Sequence, residues 1–562
     1  MAIATIKNNN ALYATIECNE HTASTLLWEQ LSYPMANLAL MRNVRPQMFK
    51  HWDGIFRLYS RETGKIYKGL LPRAYRLLKS NGHTINNEYV WDEDYDKKIA
   101  DMFINRMNIT LKNSKGELKQ GITLLDHQYR AIHRSLEKKL RRFELATSAG
   151  KTLFSYALIN LWEQTIDGKI VLLVPTLDLM RQAYNDFEIY SSNDSRFSMD
   201  NVGLCYGETE KELTHRITIA CYKTLDKVSK KDMGDVSAII VDEAHRCKAK
   251  TFQSILSKLV NCENRIGISG TFSGIDGKDF ANDLLIETYL GPIDETVTKT
   301  AKQLIDDGTS QEVVGRVYFL KHNPDDYSVY DARRKYLNKL KADELVVLKK
   351  QREKDLYDLK MSNLTYQYEK LEEQPIITEN KGFTYNDEIE YLINNQRRNN
   401  FICETALRAN GNGLVLIRRI NTHGVILDAM LKEMCNQLGY GYYYIHGKGQ
   451  DKSDMVKREV ESSERRNIIL ANMDMVAEGW SVNNLHFGVM ASTMQDSRKF
   501  LQLIGRFMRK DNTGITPALY CIGDDLRKNE RSQENYSLKH VCMNIETFYR
   551  REIKFKTKDI QL

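Results

Sequence analysis

Leu145–Thr152 reads LATSAGKT. The segment follows an apolar-leaning run and precedes a helical pattern, Leu153–Trp162. A phosphate-cradling loop needs that strand–loop–helix context. Small residues at Ser148, Ala149 and Gly150 let backbone N–H groups close around an anion, and the N-terminus of the next helix adds partial positive charge. In this reading Lys151 reaches the β/γ-phosphates of ATP, and Thr152 holds Mg²⁺. The pattern asks for glycine six residues ahead of the lysine, where Leu145 stands, so the match is a GKT with a Thr-Ser-Ala lead-in. In isolation a small-residue turn would read the same way. The surroundings decide.

Residues 122–320 alternate strand-like and helix-like segments, which predicts a parallel sheet with covering helices. Lys169–Pro175 (KIVLLVP) is a buried strand that gives way to Thr176 and a helix start at Leu177–Gln182. Arg216–Ala220 and Ser237–Val241 are further strands, and the latter runs into Asp242-Glu243-Ala244-His245. Two carboxylates at the carboxyl end of a buried strand lie where open α/β sheets place ligands. Asp242 suits Mg²⁺, and Glu243 suits orienting and deprotonating an attacking water. Arg265–Gly270 is a strand that ends in Ser269-Gly270-Thr271. Residues 385–525 repeat the alternation, with strands at Leu414–Ile417, Tyr442–Ile445 and Asn467–Ala471 and a helix at Thr422–Leu438. Then come Glu478-Gly479-Trp480-Ser481 and Gln502–Lys510, in which Arg506 and Arg509, three apart on a predicted helix, share a face.

Taken in order, these segments resemble the superfamily 2 helicase core across residues 122–525. Gln128 in LLDHQYRAI stands where the family's adenine-reading glutamine falls. Lys151 and Thr152 match its nucleotide loop, while VPTLDLMRQ (174–182, with Thr176) and TIACYKTL (218–225, with Thr224) resemble its strand-gripping motifs. Asp242–His245, Ser269–Thr271, the turn containing Gly479, and Gln502–Arg509 complete the series. The resemblance implies two RecA-like lobes with ATP between them, and Arg506 and Arg509 as arginine fingers from the second lobe. Within the superfamily the chain is similar to the phage UvsW-type helicases, through the HWDGIFRLY (51–59) and LLPRAYRLL (70–78) segments, YNDEIEYLINNQRRNNFI (385–402), LQLIGRFMRK (501–510) and a basic terminal helix around Asn544–Lys556. Ser148, where many relatives carry glycine, departs from the pattern.

The rest of the chain supplies the organisation. With 562 residues it exceeds one core, and 42% hydrophobic with 28% charged residues suits an ordinary water-exposed protein. The net charge of +7 permits a nucleic-acid partner without demanding one. Nine cysteines form no CxxC pair, which argues for buried thiols in a reducing compartment. Met1–Asn10 is polar and predicts no secretory leader, and no apolar run is long enough to span a bilayer.

In residues 1–118, GIFRLY and KIYKGL around SRETG predict a hairpin, and Pro72 and Gly82 bracket a helix. Arg57 and Lys68 on the hairpin, with Arg73, Arg76 and Lys79 on one helix face, form a candidate duplex-DNA surface. A merely solvated charged face is the alternative. Lys112–Gly121 reads as a linker. Residues 325–374 contain no Gly or Pro, and their length predicts a helical hairpin or a protruding coiled arm.

The expected fold class is therefore α/β. It comprises an N-terminal α+β DNA-binding module (1–118), a first RecA-like lobe (119–322), a helical insertion (323–384), a second lobe (385–525) and a C-terminal helical segment (526–562). The resemblance implies an ATP- and Mg²⁺-dependent DNA helicase or translocase for branched DNA. Its partners would be branched or duplex DNA and a single-strand-binding or recombination protein, with no membrane partner. It would act as a monomer in the cytoplasm, that of a bacterial host if phage-encoded. The alternatives are a motor subunit of a restriction or defence complex, an RNA helicase, and a DNA-annealing protein whose ATP site only switches conformation.

Overall fold

The computed structural model describes residues 3–34, 52–87, 95–112, 117–207, 213–272, 280–362, 372, 382–446, 450–478, 480, 482, 484–510 and 513–562. Three sheets carry the fold. The front module contains β1 (Ile3–Asn8), β2 (Tyr13–Cys18), β3 (Ser32–Pro34), β4 (Ile55–Arg57), β5 (Lys65–Tyr67) and β6 (Thr84–Asn87). Its main sheet has the order β5-β2-β1-β6, and β3 pairs with β4. Next, β7 (Ile109–Lys112) pairs with β8 (Leu118–Ile122).

The first lobe holds β9 (Leu140–Glu144), β10 (Lys169–Val174), β11 (Val202–Cys205), β12 (Ile217–Cys221), β13 (Val236–Asp242) and β14 (Asn264–Ser269). They form one parallel sheet in the order β11-β12-β10-β13-β14-β9. The second lobe holds β15 (Val314–Lys321), β16 (Gly413–Ile417), β17 (Gly441–Ile445), β18 (Asn467–Asn472), β19 (Phe487–Met490), β20 (Ala518–Asp525) and β21 (Phe555–Gln561). Their order is β17-β18-β16-β19-β20-β15-β21, again all parallel.

The central strands of both sheets are buried on two faces, which explains their unbroken apolar runs. In β10, Ile170, Leu172 and Val174 enter one core of the first lobe, and Val171 and Leu173 enter the other. In β16 Leu414 and Leu416 divide from Val415 and Ile417 in the same way. The two-residue alternation of a strand thus feeds two helical layers at once. Because all strands of a lobe are parallel, the segments that leave β9, β10, β12, β13 and β14 emerge along one edge.

Four sequence expectations are corrected here. The hairpin at 54–70 closes through a single bridge, Tyr59↔Ile66, while β4 turns to β3 and β5 to β2. The expected linker contains β8. Its partner strand β7, with Ile104, Met107 and Ile109 buried in the first lobe's core, makes this region part of that lobe. Val314–Lys321, expected in the first lobe, lies between β20 and β21 in the second, where Val317 and Leu320 are buried. The terminal basic helix ends at Arg550, and Phe555–Gln561 is an edge strand.

The insertion begins as one 38-residue helix, Pro324–Met361; the return segment that a helical hairpin would need lies largely outside the described residues. At 1.5 Å per residue it is about 57 Å long. Asn323 caps it through Asp326 N at 2.9 Å, and only Tyr330 along it is buried. Its root is fixed to the second lobe. The Tyr330 hydroxyl donates to Glu388 Oε2 at 3.0 Å, and Glu388 Oε1 accepts from Asn535 Nδ2 at 2.9 Å and Ser537 N at 2.7 Å. Beside it, buried Asp524 accepts from Arg398 Nε at 2.8 Å and Ser537 Oγ at 3.0 Å, with His322 Nε2 at 3.1 Å.

The front module is docked on the first lobe. A Cβ on Gly69 would stand 2.0 Å from the Glu287 carbonyl oxygen, so the two backbones meet there directly. Leu284 of the lobe is buried in the module's core, and Leu12 of the module is buried in the lobe's core. All nine cysteines are free thiols. Among the described residues no helix is long and apolar enough to cross a membrane.

Candidate active site

The phosphate loop leaves β9 and enters the helix Lys151–Thr165 through two left-handed residues, Ser148 (φ 71°) and Gly150 (φ 72°). At 150 only glycine fits: a Cβ would lie 2.2 Å from Gln128 Nε2. At 148 a serine carries the same strain that glycine would relieve. Two adjacent side chains hold the loop from behind. Gln128 Nε2 donates to the carbonyls of Ala149 (3.2 Å) and Gly150 (3.1 Å), and its Oε1 accepts from Leu125 N at 2.9 Å. His127 Nε2 lies 2.8 Å from the Ala149 oxygen; a carbonyl only accepts, so this nitrogen carries the proton. Burial lowers the His127 pKa and keeps the ring neutral. Gln128 is 1% exposed, and both of its amide N–H groups are directed to the loop carbonyls. It therefore supports the loop from behind. The sequence reading missed His127.

Opposite the loop, Lys151 Nζ lies 3.2 Å from Glu243 Oε1. Glu243 is itself left-handed (φ 49°), which turns its carboxylate off the end of β13. Its Oε2 faces His245 Nδ1 at 3.3 Å and Ser269 Oγ at 3.5 Å, and Ser269 Oγ lies 2.9 Å from His245 Nδ1. Burial alone would raise the Glu243 pKa; the Lys151 ammonium and His245 outweigh it and hold the carboxyl ionised. Asp242 goes the other way. Burial and the neighbouring Glu243 charge raise its pKa against the pull of Lys151. Asp242 is thus a half-buried acid next to Thr152 in the wall of the same small pocket. The pair of oxygen donors suits a hard divalent cation.

The second lobe closes over this edge. In the helix Ser497–Phe507, Phe500, Leu503, Ile504 and Phe507 are buried, and the helix meets the loop at Gly505. Ser148 Oγ donates to the Gly505 carbonyl at 3.3 Å, and a Cβ at 505 would stand 2.3 Å from Thr147 Cβ. Arg506 follows at once. Its side chain donates to the Ala477 carbonyl at 3.5 Å, and its buried Nε has no hydrogen-bond partner. Burial and the nearby Arg509 charge lower its pKa to about 10, while Glu243 and Asp242 pull the other way. An unpaired guanidinium donor facing the two carboxylates fits a polyphosphate between the lobes.

Arg509 does not share the Arg506 face, because the helix ends at Phe507. It sits in a bridge to Ser310 of the interlobe connection, where Gln311 Nε2 donates to the Phe507 and Arg509 carbonyls at 3.2 and 2.7 Å. Gln502 lines a cavity of about 200 Å³ between the lobes, together with Glu243, His245 and Thr271. Gly479 lies outside the described residues.

The DNA-contact expectations divide. Arg57 pairs with Asp53 and stacks 3.7 Å above the Trp28 ring. Lys68 is 7% exposed. Arg73 Nε donates to Glu287 Oε2 at 3.0 Å, an acid 1% exposed, so this arginine docks the module instead of facing solvent. Arg76 and Lys79 are exposed, as are Arg61 and Lys65. The Thr176 hydroxyl caps the helix after β10 through Leu179 N at 3.3 Å. Thr224 is buried, with exposed Lys223 and Lys227 on either side.

Residues 121–274 match the family of the type III restriction enzyme res subunit, and residues 397–511 match the helicase conserved C-terminal domain. The chain is 23% identical over 535 residues to the ATP-dependent DNA helicase uvsW of Enterobacteria phage T4, covering 92% of this chain and 91% of that protein. Against the crystal structure of T4 UvsW the identity is 21%, with 99% of both chains covered and a TM-score of 0.45. The type ISP restriction-modification enzyme LlaBIII, solved bound to DNA, aligns at a TM-score of 0.53 and 12% identity over 88% of this chain and 36% of that one. With two parallel-sheet lobes, a phosphate loop facing Asp242-Glu243 and matches in both lobes, this chain belongs to the superfamily 2 helicases, ATP-hydrolysing motors, and is similar to the phage UvsW-type helicases.

Proposed function

We propose that this motor remodels branched DNA, pulling one strand between its lobes while the docked front module bears on a duplex arm. The observation that carries the reading is the rigid seat of that module. Gly69 and Arg73 weld it to the first lobe, and this leaves Arg61, Lys65, Arg76 and Lys79 exposed on a body that moves with the ATP site. Phosphate contacts from such a face are independent of sequence and steeply salt-sensitive. The full-length similarity to a protein named as a DNA helicase supports DNA as the substrate.

In this reading the chemistry follows from the cleft. The N-terminus of the helix Lys151–Thr165 and the Lys151 ammonium bind the β/γ-phosphates. Thr152 and Asp242 would hold Mg²⁺, which supplies neutralisation of charge on the phosphoryl oxygens. Glu243, kept ionised by Lys151 and His245, orients the attacking water and takes its proton. Arg506, carried from the other lobe, stabilises charge in the transition state. His127 and Gln128 keep the loop open to receive the phosphates. Loss of the γ-phosphate removes the ligand shared by both lobes, so each turnover would loosen the cleft and shift the lobes along the backbone.

The test is an ATPase and strand-displacement assay on forks, four-way junctions, displacement loops and RNA hybrids. Glu243→Gln should bind nucleotide with little turnover, and Lys151→Ala should weaken binding. Arg76→Glu with Lys79→Glu should spare single-strand-stimulated ATPase and reduce fork unwinding. Equal unwinding by the charge-reversed and wild-type proteins at matched salt refutes the role of the front module. A preference for RNA hybrids over forks refutes branched DNA as the substrate.

A further inference from the structure

The interlobe cavity has an unexpected third wall. Besides Thr147, Glu243, His245 and Thr271 of the first lobe and Gln502 of the second, it is closed by Arg551 and its neighbours, beyond the matched helicase domains. Arg551 is the residue after the helix Tyr536–Arg550. The turn around it is stiff. Glu552 is left-handed (φ 54°), Ile553 N donates to the Phe548 carbonyl at 2.9 Å, and Phe548 is buried in the second lobe's core beside Phe555 of β21. Glu552 also pairs with Lys302 of the segment connecting the lobes. The Arg551 guanidinium is thus held as part of the second lobe, yet it donates to Thr271 Oγ1 of the first at 3.4 Å.

Thr271 is the end of a short chain of contacts to the hydrolytic carboxylate. Ser269 Oγ donates to the Thr271 carbonyl at 3.0 Å, lies 2.9 Å from His245 Nδ1, and His245 Nδ1 lies 3.3 Å from Glu243 Oε2. We infer that Arg551 is a positioning residue that couples closure of the lobes to the orientation of Glu243, through Thr271, Ser269 and His245. When the second lobe is seated, Arg551 fixes the Ser269–Thr271 turn, and that turn fixes the face of Glu243 opposite Lys151. When the lobe swings away, the turn loses the Arg551 contact, and the His245–Ser269 support on the face of Glu243 opposite Lys151 is held less firmly. The terminal segment thereby makes hydrolysis conditional on the closed arrangement that a bound strand favours. This inference rests on the proposed water-activating role of Glu243.

The experiment compares Arg551→Ala, Arg551→Lys, Thr271→Val and the double variant Arg551→Ala/Thr271→Val in the full chain. ATP hydrolysis is measured with and without saturating single-stranded DNA. Loss of an orienting contact should cut the DNA-stimulated kcat about tenfold while KM for ATP shifts less than about twofold. Arg551→Lys should recover part of the loss. Thr271→Val should resemble Arg551→Ala, and the double variant should be no worse than either, because both remove one interaction. The inference falls if Arg551→Ala keeps wild-type stimulation, if the two losses multiply, or if only KM changes. Wild-type turnover by Glu243→Gln would instead overturn the reading beneath it; a silent Glu243→Gln with a normal Arg551→Ala overturns this inference alone.

Discussion

Gly505→Ala is the substitution that asks most of this structure. The added Cβ would lie 2.3 Å from Thr147 Cβ and 2.5 Å from Thr147 Cγ2. Carbon atoms rest at about 3.5 Å, so the contact must open by about 1.2 Å. Thr147 cannot rotate out of the way, because the clash involves its Cβ. Neither can the helix slide easily, with Phe500, Leu503, Ile504 and Phe507 buried in its own lobe. The lobes must therefore separate, taking Arg506 from the carboxylates it faces. A misplacement near 1 Å costs about 10²-fold in rate, or about 2.7 kcal/mol. Nucleotide affinity should change little, because Lys151 and the loop N–H groups belong to the first lobe. Steady-state ATPase with saturating single-stranded DNA, alongside titration of a fluorescent ATP analogue, separates the two effects. A Gly505→Ala protein that hydrolyses ATP within about threefold of the wild-type rate would refute the claim that this contact sets the Arg506 position.

Ser148→Gly relieves left-handed strain but removes the hydrogen bond to the Gly505 carbonyl and adds entropy to the unfolded chain, so stability should change by less than about 1 kcal/mol; denaturant titration at constant m checks it. Asp524→Asn should cost about 3–5 kcal/mol, because it leaves the buried Arg398 guanidinium without its carboxylate. Burial would raise the Asp524 pKa, but Arg398 and His322 lower it to about 2, so its contribution is present above the unfolded value near 4 and is lost as pH falls toward about 2. An acid-unfolding midpoint unmoved by Asp524→Asn counts against this account. Each phosphate contact removed by Arg76→Glu or Lys79→Glu should flatten the log–log salt dependence of duplex binding by roughly 0.9. An unchanged slope would make the exposed face a solvated surface.

The sequence alone determined the motor. Short apolar runs ending in Asp-Glu and Ser-Gly-Thr, within a stretch that alternates strand and helix patterns, read as buried parallel strands with polar turns at one edge, and each turn's chemistry is local to its own few residues. Lys151, Thr152, Asp242 and Glu243 were therefore candidates on local pattern and Arg506 on the resemblance, and the fold brings all five to one cleft. What the tertiary structure decided are the partners that come from far along the chain. Arg73 looks like a phosphate contact until Glu287, buried 214 residues away, claims it. That Gln128 braces the phosphate loop, through the Ala149 and Gly150 carbonyls, is visible only once the helix is docked behind it. Val314–Lys321 reads as one more strand of the first lobe, yet parallel strands record no neighbour in their own sequence, and β20 and β21 recruit it to the second. Periodicity reports which side of an element is buried; it carries no information about which element does the burying, and ion pairs, sheet order and the reach of Arg551 across the cleft all depend on that.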